Sequence, residues 1–392
     1  MTVATAPYWL DAAYAPRPPL SGTVEAEACV VGGGVAGLAC GRRLAQHGIE
    51  TVLLERDLVA GGASGRNGGF LIAGVAVFHN DARERYGPDR ARAIYARTLA
   101  AQEEVYELAA ELDVPEAVRR VGLLRLAVSD EEAEHVRQHA EALREDGFPG
   151  ELVEHDELPP ALQRTGRVGC FTEHDGALHP ALWYRALAED AEAAGVRICE
   201  RSPVRGPVPA PAEGPVETDA GGVRARHVIV AADGALPALV PEYAGRVRPR
   251  RLHMVATAPL APLLEPMVYA RWGYEYLQQR PDGRVLAGGF SDVDGENSYT
   301  DSDAGSPVIW DLVERYLRED LGVDAEITHR WAGVVGYTED SLPYVGEVPR
   351  RPGLYVAGGY SGVGNVPGFM SGSELADTIA GHAREPLFPP GR

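Results

Sequence analysis

The chain has 392 residues, enough for about two to three domains, and its 45% hydrophobic content can bury a sizeable core. With 37 Lys and Arg against 57 Asp and Glu the net charge is −20, which argues against nucleic-acid partners and anionic membrane surfaces, both of which favour a basic face. No apolar run reaches the roughly 20 residues of a membrane span and the N-terminal stretch has no signal-peptide pattern, so a cytoplasmic protein without membrane contact is expected.

Residues 1–25 read as an extended arm carrying Tyr8 and Trp9. Ala28-Cys29-Val30-Val31 is a short apolar strand, 38–47 is a plausible helix that Gly48 stops, and Thr51-Val52-Leu53-Leu54 is a second buried strand ending at Glu55. Between the first strand and the helix stands Gly32-Gly33-Gly34-Val35-Ala36-Gly37, the spacing that holds a dinucleotide. Gly32 allows the tight turn, Gly34 lets the backbone approach a pyrophosphate, and Gly37 lets the helix pack close to its strand. Glu55 then offers a carboxylate to ribose hydroxyls, and the phosphates sit at a helix N-terminus.

A glycine-rich loop follows at 61–69. The spacing predicts a long helix over 88–113, a strand over 121–128, a charged helix over 130–146, a helix over 179–195 and a strand over 196–199. A proline-rich connection spans 203–215, and 226–233 is a buried strand ending in Ala-Asp-Gly. Strands are predicted at 252–257, 268–277 and 284–289, with Pro281-Asp282-Gly283 turning between the last two. On the 268–277 strand, Trp272, Tyr274 and Tyr276 share one face and Glu275 the other. A helix over 306–321, strands over 327–335 and 354–357, and a helix over 366–381 complete the chain.

The class is therefore α/β, α+β overall. A Rossmann-like nucleotide-binding domain is expected from discontinuous segments, 1–80, 148–245 and 328–392. An inserted antiparallel-sheet substrate domain takes 81–147 and 246–327. The four cysteines (Cys29, Cys40, Cys170, Cys199) form no CxxC and read as small core residues, and no metal-ligand spacing appears.

Four segments together resemble the D-amino-acid-oxidase superfamily of FAD-dependent amine oxidoreductases: Gly32–Glu55, Gly61-Gly62-Ala63-Ser64-Gly65-Arg66-Asn67-Gly68-Gly69, His227-Val228-Ile229-Val230-Ala231-Ala232-Asp233-Gly234, and Leu354-Tyr355-Val356-Ala357-Gly358-Gly359-Tyr360-Ser361-Gly362. The Ala63–Gly69 block and the arm around Tyr8-Trp9 look most like the gamma-glutamylputrescine oxidase branch, beside the glycine and sarcosine oxidases. The resemblance implies FAD contacts at Gly32, Gly34, Val35, Ala36, Gly37, Glu55, Arg56, Gly62, Ala63, Ser64, Arg66, Asn67, Gly68, Gly69, Val204, Ala232, Gly359, Tyr360, Gly362 and Gly364. The late Gly358-Gly359, where related hydroxylases carry Gly-Asp, favours the amine oxidases. Val335, just before Gly336-Tyr337-Thr338, stands where relatives with covalent flavin carry cysteine, so non-covalent FAD is expected.

The implied chemistry is oxidation of an amine C–N bond by hydride transfer to flavin N5, imine hydrolysis, and reoxidation by O2 with release of H2O2. The alternatives are a dehydrogenase with another electron acceptor and a flavin subunit that needs a partner. Little acid–base help is required if the amine arrives neutral. Candidate substrate contacts are Trp331, Tyr337, Tyr360, Tyr274 and Tyr276, with His253 read as a satisfied sheet histidine. Glycine-oxidase-like members place an arginine shortly after the Trp-x-Gly of the late strand, but here Trp331-Ala332-Gly333 continues with Val334-Val335. That departure argues for an amine, or for a carboxylate held elsewhere, with Arg271 or Arg280 as substitutes. The sequence leaves the particular amine and the oligomeric state open.

Overall fold

A computed structural model describes residues 6–382 and 385–391 of the chain; residues 1–5 of the expected arm lie outside them. The strands Ala28–Val31 and Thr51–Leu54 are buried at every position, as a parallel sheet covered on both faces requires. They sit inside a six-stranded sheet in the order Arg197–Cys199, Thr51–Leu54, Ala28–Val31, His227–Val230, Leu354–Gly358, Tyr344–Glu347. All neighbours are parallel except the last pair.

The first helix runs Val35–Gln46, three residues earlier than predicted, because Gly34 is its N-cap. It packs against the late helix Asn365–Ile379 at backbone contact. A Cβ on Gly372 would lie 2.2 Å from the Ala36 carbonyl oxygen, and one on Gly368 would lie 2.7 Å from Val35. These two glycines, one helical turn apart, let the helices cross so closely that both N-termini open onto the same cleft.

A second, eight-stranded sheet has the order Ile327–Thr338, Val247–Thr257, Val285–Gly289, Glu275–Gln279, Met267–Ala270, Leu123–Ala127, Val168–Thr172, Glu151–Glu154. Only Met267–Ala270 and Leu123–Ala127 pair in parallel. The strands Glu151–Glu154, Val168–Thr172 and Ile327–Thr338, placed with the nucleotide unit by the sequence reading, are hydrogen-bonded into this larger sheet. The helix Pro307–Arg315 covers it, burying Ile309 and Val313.

The predicted strand over 268–277 is corrected. It is two strands joined by a tight turn, with Arg271, Trp272 and Gly273 all at positive φ (47°, 56° and 87°). Trp272, Tyr274 and Tyr276 therefore do not share a strand face. Trp272 and Tyr274 are exposed at the turn, and Tyr276 lies on the following strand. Buried Glu132 stabilises the turn by accepting from the Trp272 N–H (2.8 Å), and Arg271 is ion-paired to Glu275 and Asp292. The Trp-Gly-Tyr-Glu-Tyr alternation mimics a strand, but Gly273 is the residue that a left-handed turn needs.

The arm is a strap. Trp9 is fully buried among Ala181, Met254, Leu286 and Trp331. Further along, Glu200, also fully buried, accepts from the Arg17 N–H, the Tyr14 hydroxyl and the Val59 N–H.

Candidate active site

The glycine fingerprint does the packing its spacing implies. Gly32 sits at φ +116°, where a Cβ would lie 2.4 Å from the Ala231 carbonyl oxygen, and a Cβ on Gly37 would lie 1.9 Å from that of Gly32. Glu55 is buried at the strand end. Its carboxylate accepts from the Gly33 N–H (2.6 Å) and the Asp57 N–H (2.9 Å). Burial raises its pKa, and those N–H groups act in the opposite sense. Each carboxylate oxygen retains a lone pair for a further donor such as a ribose hydroxyl.

Above the fingerprint is a narrow cleft lined by Gly34, Val35 and Ala36 from the first helix, Ser64 from the second loop, and Gly364 and Asn365 from the late helix. Ser64 Oγ accepts from the Val35 N–H (3.0 Å). A Cβ on Gly34 would meet that oxygen at 2.8 Å, so a side chain there would displace Ser64 and break its bond to the Val35 N–H. Two helix N-termini aimed at one cleft favour negative charge. The cradle, the free N–H groups and Glu55 fit a dinucleotide whose pyrophosphate lies at the first helix.

The second loop is pinned by its carbonyls. The Trp9 indole N–H donates to Asn67 O (2.8 Å), the Trp331 indole to Arg66 O (2.8 Å), and the Gln278 amide to Gly68 O (2.6 Å). Asn67 and Asn365 exchange amide hydrogen bonds (3.2 and 3.3 Å), and Asn365 also donates to Phe70 O (2.7 Å). Arg66 donates to Gly61 O and Ala332 O and is ion-paired to Asp303.

Asp233 is a central residue that the sequence reading passed over. Its buried carboxylate accepts from the N–H groups of Gly336 (2.8 Å), Gly359 (2.9 Å) and Tyr360 (3.4 Å), with its own backbone at φ +42°. One side chain thus ties the end of strand Ile327–Thr338 to the loop leading into the late helix.

The cleft opens into a larger cavity of about 400 Å³, inside the range of small-molecule sites. The two share Ala63, Asn67, Val335, Gly362 and Asn365. Its floor is the inner face of the eight-stranded sheet. Arg125, Tyr269, Tyr276, Gly288 and Met254 stand side by side on five adjacent strands, in direct register. Leu252 and Arg250 continue that face along the last of these strands.

Of the candidate residues, Tyr274, Tyr276, Tyr337, Arg66 and Gly68 line this cavity, and Ala63, Asn67 and Gly362 line both spaces. Tyr360 lines the narrow cleft. Trp331 reaches neither, being a buried strut under Arg66. Gly32, Gly37, Gly62, Gly69, Ala232 and Gly359 shape the backbone around the two spaces without lining them. Arg56 is exposed and paired to Asp57. Val204 packs on the far flank of the six-stranded sheet, two residues past Ser202, whose N–H donates to Glu55 O (2.8 Å).

His253 lies outside the cavity. It is fully buried, and its Nε2 accepts from the Ser306 N–H (2.8 Å). Burial, aided by Arg251, lowers its pKa to about 4. The folded value lies below the ordinary 6.5, so the unfolded chain takes up a proton first as pH falls. The stabilisation is complete above about pH 6.5 and is lost towards pH 4, by about 3 kcal/mol in all. Denaturation midpoints measured from pH 7 to 4.5 should fall less steeply in His253→Gln than in the native chain. An unchanged slope would remove His253 from the acid response.

A dinucleotide-binding βαβ unit, a second helix N-terminus and an adjoining aromatic cavity on a separate sheet fit a flavin-dependent oxidoreductase. The chain belongs to the DAO family of FAD dependent oxidoreductases, whose match covers residues 27–378. It is 28% identical over 411 residues to the probable oxidoreductase OrdL of Rhizobium meliloti (strain 1021), covering 98% of this chain and 92% of the relative. It is 28% identical over 396 residues to the gamma-glutamylputrescine oxidoreductase of Escherichia coli (strain K12), covering 98% and 91%. The crystal structure of glycine oxidase from Geobacillus kaustophilus superposes with a TM-score of 0.78 at 24% identity, covering 92% of this chain and 96% of that one. No helix among the described residues is long and apolar enough to cross a membrane.

Proposed function

We propose that this chain oxidises the C–N bond of a primary or secondary amine to an imine, which water hydrolyses, with O2 as the final electron acceptor and H2O2 as its product. The observation that carries the reading is the continuity of the aromatic cavity with the dinucleotide cleft through Asn67, Val335 and Gly362. Bound FAD would supply the hydride acceptor.

The residues around it would orient and shield the substrate. Phe70, Tyr269, Tyr276 and Tyr337 form apolar walls that exclude water from the reacting carbon. The one carboxylate in the cavity lining among the described residues, Asp81, faces His135 Nε2 at 3.1 Å. A neutral amine requires no base. The N-terminus of Asn365–Ile379 favours negative charge developing on the cofactor side of the cleft. The four cysteines are all buried and none lines either space; burial pushes the Cys40 and Cys170 thiols up to about 12. Both facts support non-covalent FAD.

The test is anaerobic titration of the purified yellow protein with a panel of amines and amino acids. Bleaching by one class, with colour and peroxide returning in air, is the expected result. Bleaching without fast return in air would replace the oxidase by a dehydrogenase, and a yellow protein that no amine bleaches would overturn the proposal.

A further inference from the structure

The cavity is lined by four arginines, and they are not equivalent. Arg66 has Asp303 as its counter-ion, and Arg85 is exposed at the mouth. Arg125 and Arg250 are buried, at 9% and 8% exposure, and neither meets a carboxylate among the described residues. Arg250 donates to Ser298 Oγ (3.0 Å) and Ser291 O (2.8 Å), both neutral, and stands 4.9 Å from the Tyr337 ring centre. Arg125 makes no hydrogen bond to the described residues and is held only between the Phe78 and Tyr269 rings, at 5.3 and 5.7 Å.

The surroundings sharpen the contrast. Arg248 and Arg251, beside Arg250 on the same strand, are paired with Glu296 and Asp294, and Arg271 with Glu275 and Asp292. Buried Asp175, near Arg125, is already occupied by the Ala73 N–H, the Gln102 amide and the Thr172 hydroxyl. Acidic residues are abundant in this chain, yet none is spent on the two cations inside the cavity. A guanidinium out of water without a counter-ion is costly, and a ligand anion is what completes it.

The two are separate stations. Arg125 and Met254 stand at the ends of a row that crosses five strands, so about 19 Å separates their backbones at the usual strand spacing. Arg250 is four residues further along the Met254 strand. Tyr269 and Tyr276 fill the floor between, with ring centres 6.0 Å apart. One small carboxylate cannot be clamped by both.

We propose that the substrate carries two anionic groups, separated by a chain of several atoms, one received by Arg125 and the other by Arg250. The amine under oxidation then belongs to a dicarboxylic or comparably dianionic compound. This rests on the oxidase reading given above and names the substrate class of that same cavity.

The experiment uses flavin-loaded protein and isothermal titration calorimetry at fixed ionic strength. The probes are straight-chain dicarboxylates from succinate to suberate, each with the monocarboxylate of equal length. None contains a C–N bond, so the result is independent of whether any amine is oxidised. One dicarboxylate is expected to bind at least about 10-fold tighter than its partner, and Arg125→Gln and Arg250→Gln should each weaken it about 10- to 100-fold. Arg125→Lys and Arg250→Lys, which keep the charge, should recover part of the loss and guard against a folding artefact. Equal binding of mono- and dicarboxylates, or a dicarboxylate affinity indifferent to Arg125→Gln, would overturn the proposal in favour of a substrate with one anion or none.

Discussion

Gly34→Val is expected to give a folded but colourless protein. The added Cβ would lie 2.8 Å from Ser64 Oγ, the far end of a small side chain that can rotate away, so the backbone survives. Rotation, however, costs the bond from the Val35 N–H to Ser64, and the valine methyls then stand in the cleft at the first helix N-terminus, where a pyrophosphate would lie. Flavin content, read as the ratio of visible flavin absorbance to protein absorbance, should drop to background while the circular dichroism spectrum is retained. Full flavin occupancy in the variant would contradict this placement of the pyrophosphate. Gly37 is the contrasting position. Its Cβ would meet a backbone oxygen at 1.9 Å, which cannot move aside, and Gly37→Val should fail to fold rather than merely fail to bind.

Asp233→Ala is expected to cost about 3–5 kcal/mol of stability and most of the flavin. Three backbone N–H groups from two separate segments, those of Gly336, Gly359 and Tyr360, lose their acceptor. Alanine also tolerates the positive φ of this position less well than aspartate. Asp233→Asn keeps the oxygen that serves Gly359 and Tyr360 and gives up the one that serves Gly336, so an intermediate loss is expected. Urea denaturation of the three proteins, with flavin content measured alongside, checks the order. Native-like stability in Asp233→Ala would show that the carboxylate is not what joins these segments.

Much of the nucleotide half was legible because its signals are local. The strand at Ala28, the glycine spacing and the strand ending at Glu55 lie within one βαβ unit, and each element is set by its own residues. Asp233 was within a recognised segment but silent, because its role depends on N–H groups more than 100 residues away. Asn365 was silent for the same reason, since its partners Asn67 and Phe70 come from the other end of the chain. The cavity was the least legible part. Alternating aromatics at 272–276 imitate a strand where Gly273 makes a turn. Trp331 sits at a promising position in the chain yet points its indole at a loop carbonyl.

The arginine absent from the Trp331–Val335 run is a further case. Arg250 is the register partner of Val335 on the neighbouring strand, so a cation does face the cavity there, supplied across the ladder rather than along it. Arg271 and Arg280, the substitutes named from the sequence, line neither the cavity nor the cleft. Arg271 is ion-paired, and Arg280 is buried beside the Trp9 ring and donates to Glu116 O (3.3 Å). Register, not sequence distance, decides which side chain reaches the cavity.

The arm also sets an order of events during biosynthesis. Trp9 belongs to a cluster completed by Met254, Leu286 and Trp331, and Asp11 meets His329 across 318 residues of chain. At ribosomal speeds, on the order of 15–60 s passes between the emergence of the two ends of that contact. Throughout that interval the Trp9 indole has no finished pocket, while the Gly32–Glu55 unit downstream of it can already form. The segment made early therefore docks late, and until residue 331 has left the ribosome Trp9 is a large apolar side chain open to chaperones.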